Sequence, residues 1–259
     1  MTPLQALLAF GAGLVVAVVT TPVGVSGAVF LLPVQLDLLR VPSPAVTPTN
    51  LLYNVVATPG ALLRHHRTGA LGGPLTRRLV AGTLPGVVAG TLLRVFLAPG
   101  DRVFRVLAAA LLLAVGIWLC LRGRARPAPA RELRGWVLTG LGAVVGIVGG
   151  VYGIGGGSLL GPILVGAGMS VAAVAPAALS ATFVTSVAGV TTYGLVSLVV
   201  EGPVSPDWVI GLCCGAGGLL GGYLGARLQP HVPEAALRAL LGVLAIGLAV
   251  TYLVQAARG

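Results

Sequence analysis

The sequence has no lysine, only six acidic residues, three histidines and three cysteines in 259 positions. Charged residues make up 8% of the chain, against about 25% in a soluble domain. Sixteen arginines and six acids cannot wet the surface of one soluble domain of this size, which excludes an ordinary cytosolic enzyme. The same composition excludes a disordered chain and a disulfide scaffold. Cys120, Cys213 and Cys214 lie inside apolar runs without metal-ligand spacing and read as small apolar filler, so no metal or cofactor is expected. The acids Asp37, Asp101, Glu132, Glu201, Asp207 and Glu234 all sit at segment ends or in loops. That placement argues against a carboxylate-lined cation path or an acidic proton relay. No A-x-A site follows the first apolar run, so a cleaved signal peptide is not expected.

What the chain does contain is apolar sequence and glycine: 56% hydrophobic residues and 40 glycines. A helix needs around 20 apolar residues to cross about 30 Å of hydrocarbon. By that measure the spans are Leu4–Thr21, Ala45–Leu63, Leu79–Leu97, Val103–Leu121, Trp136–Tyr152, Val171–Val200, Trp208–Arg227 and Ala235–Val254. Ala28–Leu39 and Ser158–Gly168 are too short to cross comfortably, and each follows a glycine-rich turn. The expected fold is therefore all-α: a polytopic helical membrane protein. The arginines cluster in gaps between runs, in 64–78 and in 122–134, which reads as cytoplasmic orientation by the positive-inside rule and not as nucleic-acid binding.

An internal repeat orders these segments. Gly24-Val-Ser-Gly-Ala-Val-Phe-Leu-Leu-Pro33 and Gly153-Ile-Gly-Gly-Gly-Ser-Leu-Leu-Gly-Pro162 stand 129 positions apart, each just after a spanning helix. Gly60, Gly82 and Gly86 match Gly189, Gly211 and Gly215 at the same offset. The expected organisation is a first transmembrane half (1–121), an Arg/Pro-rich cytoplasmic linker (122–135) and a second half (136–259). Each half holds about four spanning helices and one short glycine-led segment, the halves being inverted about a pseudo-two-fold axis.

Short, glycine-interrupted segments in corresponding positions of two halves point to a transporter site. Hydrocarbon cannot satisfy free amides, so irregular backbone at membrane depth must be buried in protein or line a cavity. A short helix starting after such a turn exposes its first amides and its positive dipole end, which suits an anion. Ser26 and Ser158 can add hydroxyl donors. Asn50 and Asn54, and likewise Thr182 and Ser186, share a helical face by i, i+4 spacing. The expected substrate-binding set is Gly24, Ser26, Gly27, Asn50, Asn54, Gly155, Gly156, Gly157, Ser158, Thr182 and Ser186, with no catalytic residue. The spaced glycines Gly211, Gly215, Gly218, Gly221, Gly222 and Gly225 read instead as a helix-packing seam.

A Gly153-Ile-Gly-Gly-Gly157 turn with Pro162 resembles the sulfite exporter TauE/SafE family over roughly Leu4 to Val254. The first half departs from the pattern, since Gly24-Val-Ser-Gly27-Ala28 lacks the triple glycine while keeping Pro33. The resemblance implies transport of sulfite, a sulfonate, thiosulfate or another small anion across a bacterial inner membrane. The expected partners are that anion and the lipid bilayer, with homo-oligomerisation left open. Two other functions compete with this reading: an intramembrane enzyme acting on a lipid phosphate, and a non-transporting anchor subunit. The first needs a nucleophile or an acid–base pair near the site, and the acids lie elsewhere. Whether the short segments are re-entrant or spanning stays open at this level.

Overall fold

The computed structural model describes residues 2–97, 101–122, 135–167, 169–200, 202 and 204–258. Residues 123–134 of the expected linker, and Glu201, lie outside them. In chain order the helices are α1 (Pro3–Thr20), α2 (Ala28–Pro33), α3 (Ser43–Arg67), α4 (Pro74–Phe96), α5 (Asp101–Arg122), α6 (Gly135–Tyr152), α7 (Gly157–Gly166), α8 (Val171–Val196), α9 (Trp208–Leu228) and α10 (Glu234–Arg258). Among the described residues there is no strand.

Among the described residues five helices are long and apolar enough to cross a bilayer: α1 with its 3-10 extension to Val23, α4, α6, α8 and α9 with its extension to His231. α3 is as long, but Pro48, Pro59, several threonines and asparagines and a basic last turn lower its hydropathy. It also runs past the expected Leu63 to Arg67, so His65 and His66 stand on a helix and not in a loop. Cations in a last turn complement the negative end of the helix dipole. α2 and α7 are too short to cross. α2 contains Pro33, whose missing N–H breaks the α ladder, and the chain continues as a π turn over Val34–Leu38.

Glycine seams fix the helix directions. On α9, Gly217, Gly221 and Gly225 lie against Phe10, Leu14 and Val18 of α1, so the two helices run parallel at backbone contact. Gly211, Gly215 and Gly222 of the same helix meet Leu52, Val56 and Ala61 of α3, again parallel. Gly82, Gly86 and Gly90 of α4 meet Thr139, Ala143 and Ile147 of α6, likewise parallel. In lipid no hydrophobic drive holds helices together, so close backbone packing of this kind has to do it. α3 and α8 cross antiparallel: Leu51 packs on Gly189, while Ala61 clusters with Leu179. The short helices are buried, with Leu31, Leu32, Leu160 and Leu164 in one hydrophobic cluster with Val46, Val174 and Ala178.

Candidate functional site

Two breaks in the chain meet in the middle of this bundle. After α1 a 3-10 turn ends at Gly24, which takes φ +76°, and α2 begins behind Gly27. After α6, Gly153 takes φ +70°, and α7 begins behind Gly156. A left-handed backbone favours glycine at both positions. At Gly24 space gives a second reason, because a Cβ there would stand 2.6 Å from the Ala175 Cα.

Three hydroxyls join the breaks. Ser158 Oγ donates to the Ile154 carbonyl at 2.7 Å. A hydroxyl has one proton and two lone pairs, so Ser158 then accepts from Ser26 Oγ at 2.6 Å and from Thr182 Oγ1 at 3.2 Å. The Gly156 amide donates to Thr185 Oγ1 at 3.1 Å. Asn50 Nδ2 donates to the carbonyl of Ala28, the first residue of α2, at 2.8 Å. The α7 start is therefore not wholly bare: Thr185 takes up the amide of its cap residue.

The unsatisfied groups lie one step away, on α3 and α8. The α3–α8 register sets Asn54 level with Ser186 and Thr58 level with Thr182. Asn54 is fully buried, and neither its Oδ1 nor its Nδ2 has a hydrogen-bond partner. Ser186 Oγ and Asn50 Oδ1 are buried without a partner as well. A Cβ on Gly155 would stand 3.0 Å from the Ser186 oxygen, which puts that oxygen beside the second break. A buried polar atom left unbonded costs about 1–3 kcal/mol, so several at one level call for a ligand, an ion or water.

The open space beside the first break is small. A cavity of about 10 Å³ touches Thr21, Ser26, Gly27, Tyr53, Thr58 and Gly218, on the side of the first break that faces α3 and α9. It holds about one water and is too small for an oxyanion.

The structure thus brings Gly24, Ser26, Gly27, Gly155, Gly156, Gly157, Ser158 and Thr182 together at the paired breaks. Asn50 lies against α2, and Asn54 and Ser186 lie at the α3–α8 crossing. Thr49, another buried polar residue of α3, is structural. It accepts from the Asp207 amide at 2.8 Å, and Asp207 Oδ1 caps α9 through the Ile210 amide. Three contributors lie outside the expected substrate-binding set. Thr83 abuts Gly156, Thr185 holds its amide, and Thr47 Oγ1 donates to the Val151 carbonyl at 3.3 Å. A fourth, Arg94, is 5% exposed near the end of the run Leu79–Leu97; a charge inside an apolar stretch was the signal that could have found it. At the arginine-rich end His65 is buried, and burial first, then the Arg64 charge, hold it below its ordinary pKa.

The model of one protein family, described as sulfite exporter TauE/SafE, matches residues 9–252. No curated protein and no solved structure matches the chain significantly.

Proposed function

Because the chain belongs to the sulfite exporter TauE/SafE family, we propose that this multi-pass membrane protein carries a small sulfur oxyanion (sulfite, a sulfonate or thiosulfate) by alternating access through the α3–α8 crossing. The supporting observation is the set of unbonded buried donors, Asn54 Nδ2 and Ser186 Oγ, level with one another and beside the hydroxyl-linked breaks. An oxyanion with several acceptor oxygens satisfies both. Hydrogen bonds to a charged group stabilise by about 1.5–3 kcal/mol each. The donors at the crossing are all neutral, so the anion is held without an ion pair and can leave again.

The same reading treats residues 1–121 and 136–259 as inverted halves joined by the linker 122–135. Gly24 and Gly153, and the cap residues Gly27 and Gly156, stand 129 positions apart and share backbone conformations. α1 and α3 run parallel to α9, α4 runs parallel to α6, and six residues turn α3 back into α4. α1 and α3 therefore oppose α6 in direction. The halves do not contribute equally: Asn54 corresponds to Phe183 and Ser186 to Ala57, so one site draws different donors from each half. Arg64, Arg67, Arg77, Arg78 and Arg227 gather at one end, which the positive-inside rule assigns to the cytoplasm of a bacterial inner membrane.

The test is uptake into liposomes holding the purified protein, with sulfite, thiosulfate, sulfonates, sulfate and chloride, with and without a pH gradient. The expected result is saturable flux of at least one sulfur oxyanion, lost in Asn54→Leu. No flux of any of these anions by a monodisperse protein overturns the proposal.

A further inference from the structure

A buried polar strip leaves the crossing and ends at Arg94. On α8, Thr182, Ser186 and Tyr193 fall at i, i+4 and i+11, on one helical face, and all three are fully buried. On α4, Thr83, Thr91 and Arg94 fall at i, i+8 and i+11, again on one face and buried. The two faces meet side by side. Thr83 and Thr185 both touch Gly156 at the break. Further along, a Cβ on Gly189 of α8 would stand 3.3 Å from Val87 of α4, which sets Thr91 level with Tyr193 and Arg94 one turn beyond.

Along this strip the Ser186 hydroxyl, the Thr91 hydroxyl and the Tyr193 hydroxyl lack a hydrogen bond of normal geometry, although Tyr193 lies close to Thr47. Arg94 itself is anchored: Nη2 donates to Ser43 Oγ at 2.8 Å and to the Ser43 carbonyl at 3.2 Å. The last turn of α4 favours a cation there, and an ionisable side chain hidden in a membrane helix is costly unless it serves a path or a ligand.

We infer that this seam is the half-path from the crossing to the end remote from the arginine-rich loops, and that Arg94, with Tyr193 and Thr91, forms a second binding site for the oxyanion at its mouth. The inference rests on the transport reading above. The anion bound there accepts from the Arg94 guanidinium and from the Tyr193 and Thr91 hydroxyls, then exchanges these donors for Ser186 and Asn54.

The experiment compares the unaltered protein with Arg94→Gln, Arg94→Lys, Tyr193→Phe and Thr91→Val. It measures sulfite flux kinetics in liposomes and the sulfite-dependent shift of melting temperature in detergent. Loss of one charge-assisted hydrogen bond predicts a KM raised roughly tenfold or more in Arg94→Gln. Arg94→Lys should recover part of that loss, and the two hydroxyl deletions should raise KM severalfold with little change in kcat. An arginine that only ties α3 to α4 would alter stability and leave KM unchanged. Sulfite flux with unaltered KM in a folded Arg94→Gln overturns the inference and leaves the transport reading standing. If Arg94→Gln does not fold, unchanged KM in both Tyr193→Phe and Thr91→Val overturns it equally. If the unaltered protein carries no anion, the transport reading fails; a sulfite-dependent melting shift that Arg94→Gln abolishes would still establish the site.

Discussion

A methyl group at Gly156 tests how tightly the breaks are fitted. Gly156 has φ −68° and ψ −30°, so alanine suits its backbone and any penalty is steric. The new Cβ would collide with the Thr83 Cβ and stand 2.7 Å from its Cγ2. Thr83 cannot swing aside, because it is β-branched and its hydroxyl is bonded to the Leu79 carbonyl at 2.7 Å. The break must move instead, at about 1–3 kcal/mol for overpacking. That movement stretches the bond from the Gly156 amide to Thr185, worth about 0.5–1.5 kcal/mol. Gly156→Ala should therefore destabilise the protein by about 2–4 kcal/mol and suppress sulfite flux. Thr83→Gly removes the colliding atom at about 0.3–0.5 kcal/mol of helix propensity relative to threonine and should restore most of both losses in the double variant. Thr83→Ser keeps the Cβ and should not. Unfolding in detergent and flux in liposomes give the double-mutant cycle, with an expected favourable coupling above about 1 kcal/mol. Gly156→Ala with wild-type stability and flux, or a cycle without coupling, refutes the claim that the breaks are locked against α4.

Asn54→Leu should separate stability from function. It replaces two unbonded buried polar atoms with a side chain of similar volume, so unfolding in the absence of anion should become harder by about 1–3 kcal/mol while flux disappears. A variant that is destabilised and still transports contradicts the assigned role. His65 supplies a pH test. Its folded pKa lies below the ordinary 6.5, so protonation favours the unfolded chain. Stability should begin to fall as the pH drops through about 6.5 and go on falling until the pH lies below the folded pKa. His65→Gln should flatten the melting temperature between pH 7 and pH 5; a slope equal to that of the unaltered protein would remove His65 as its source.

The membrane class, five of the expected spanning helices and the two glycine breaks were legible because each is a local property of the chain. Lipid demands long apolar runs, and a left-handed turn favours glycine at Gly24 and Gly153. The i, i+4 spacing of Asn50 with Asn54 was equally readable. What those side chains bond to was not. Asn50 binds the Ala28 carbonyl and Thr49 the Asp207 amide, pairings made between segments separated along the chain. Ser26 and Ser158 look from sequence like donors to a substrate, yet in the structure they bond to one another. Thr83 was passed over because one threonine in an apolar helix is unremarkable until its neighbour across the seam is known to be Gly156.

The packing also suggests which parts move. The tight seams join α1 and α3 to α9, and α4 to α6, so each cuts across the sequence halves. If alternating access is a rocking motion, one moving body is α1 with α3 and α9, and the other is α4 with α6 and α8. They slide at the α3–α8 crossing, and the segments on either side of the linker do not move as units. In a background with Cys120, Cys213 and Cys214 replaced by alanine, two engineered disulfides distinguish these arrangements. A Cβ at Gly222 would stand 3.7 Å from the Ala61 Cβ, within the usual disulfide range of about 3.5–4.5 Å. Ala61→Cys with Gly222→Cys thus bridges α3 and α9 inside one body and should leave flux intact. Leu51→Cys with Gly189→Cys bridges α3 and α8, where Leu51 packs on Gly189, and should stop flux until the bond is reduced. Measured with and without oxidant, the opposite pattern would show that the α3–α9 seam is the one that must slide, and that the site opens by separating those helices.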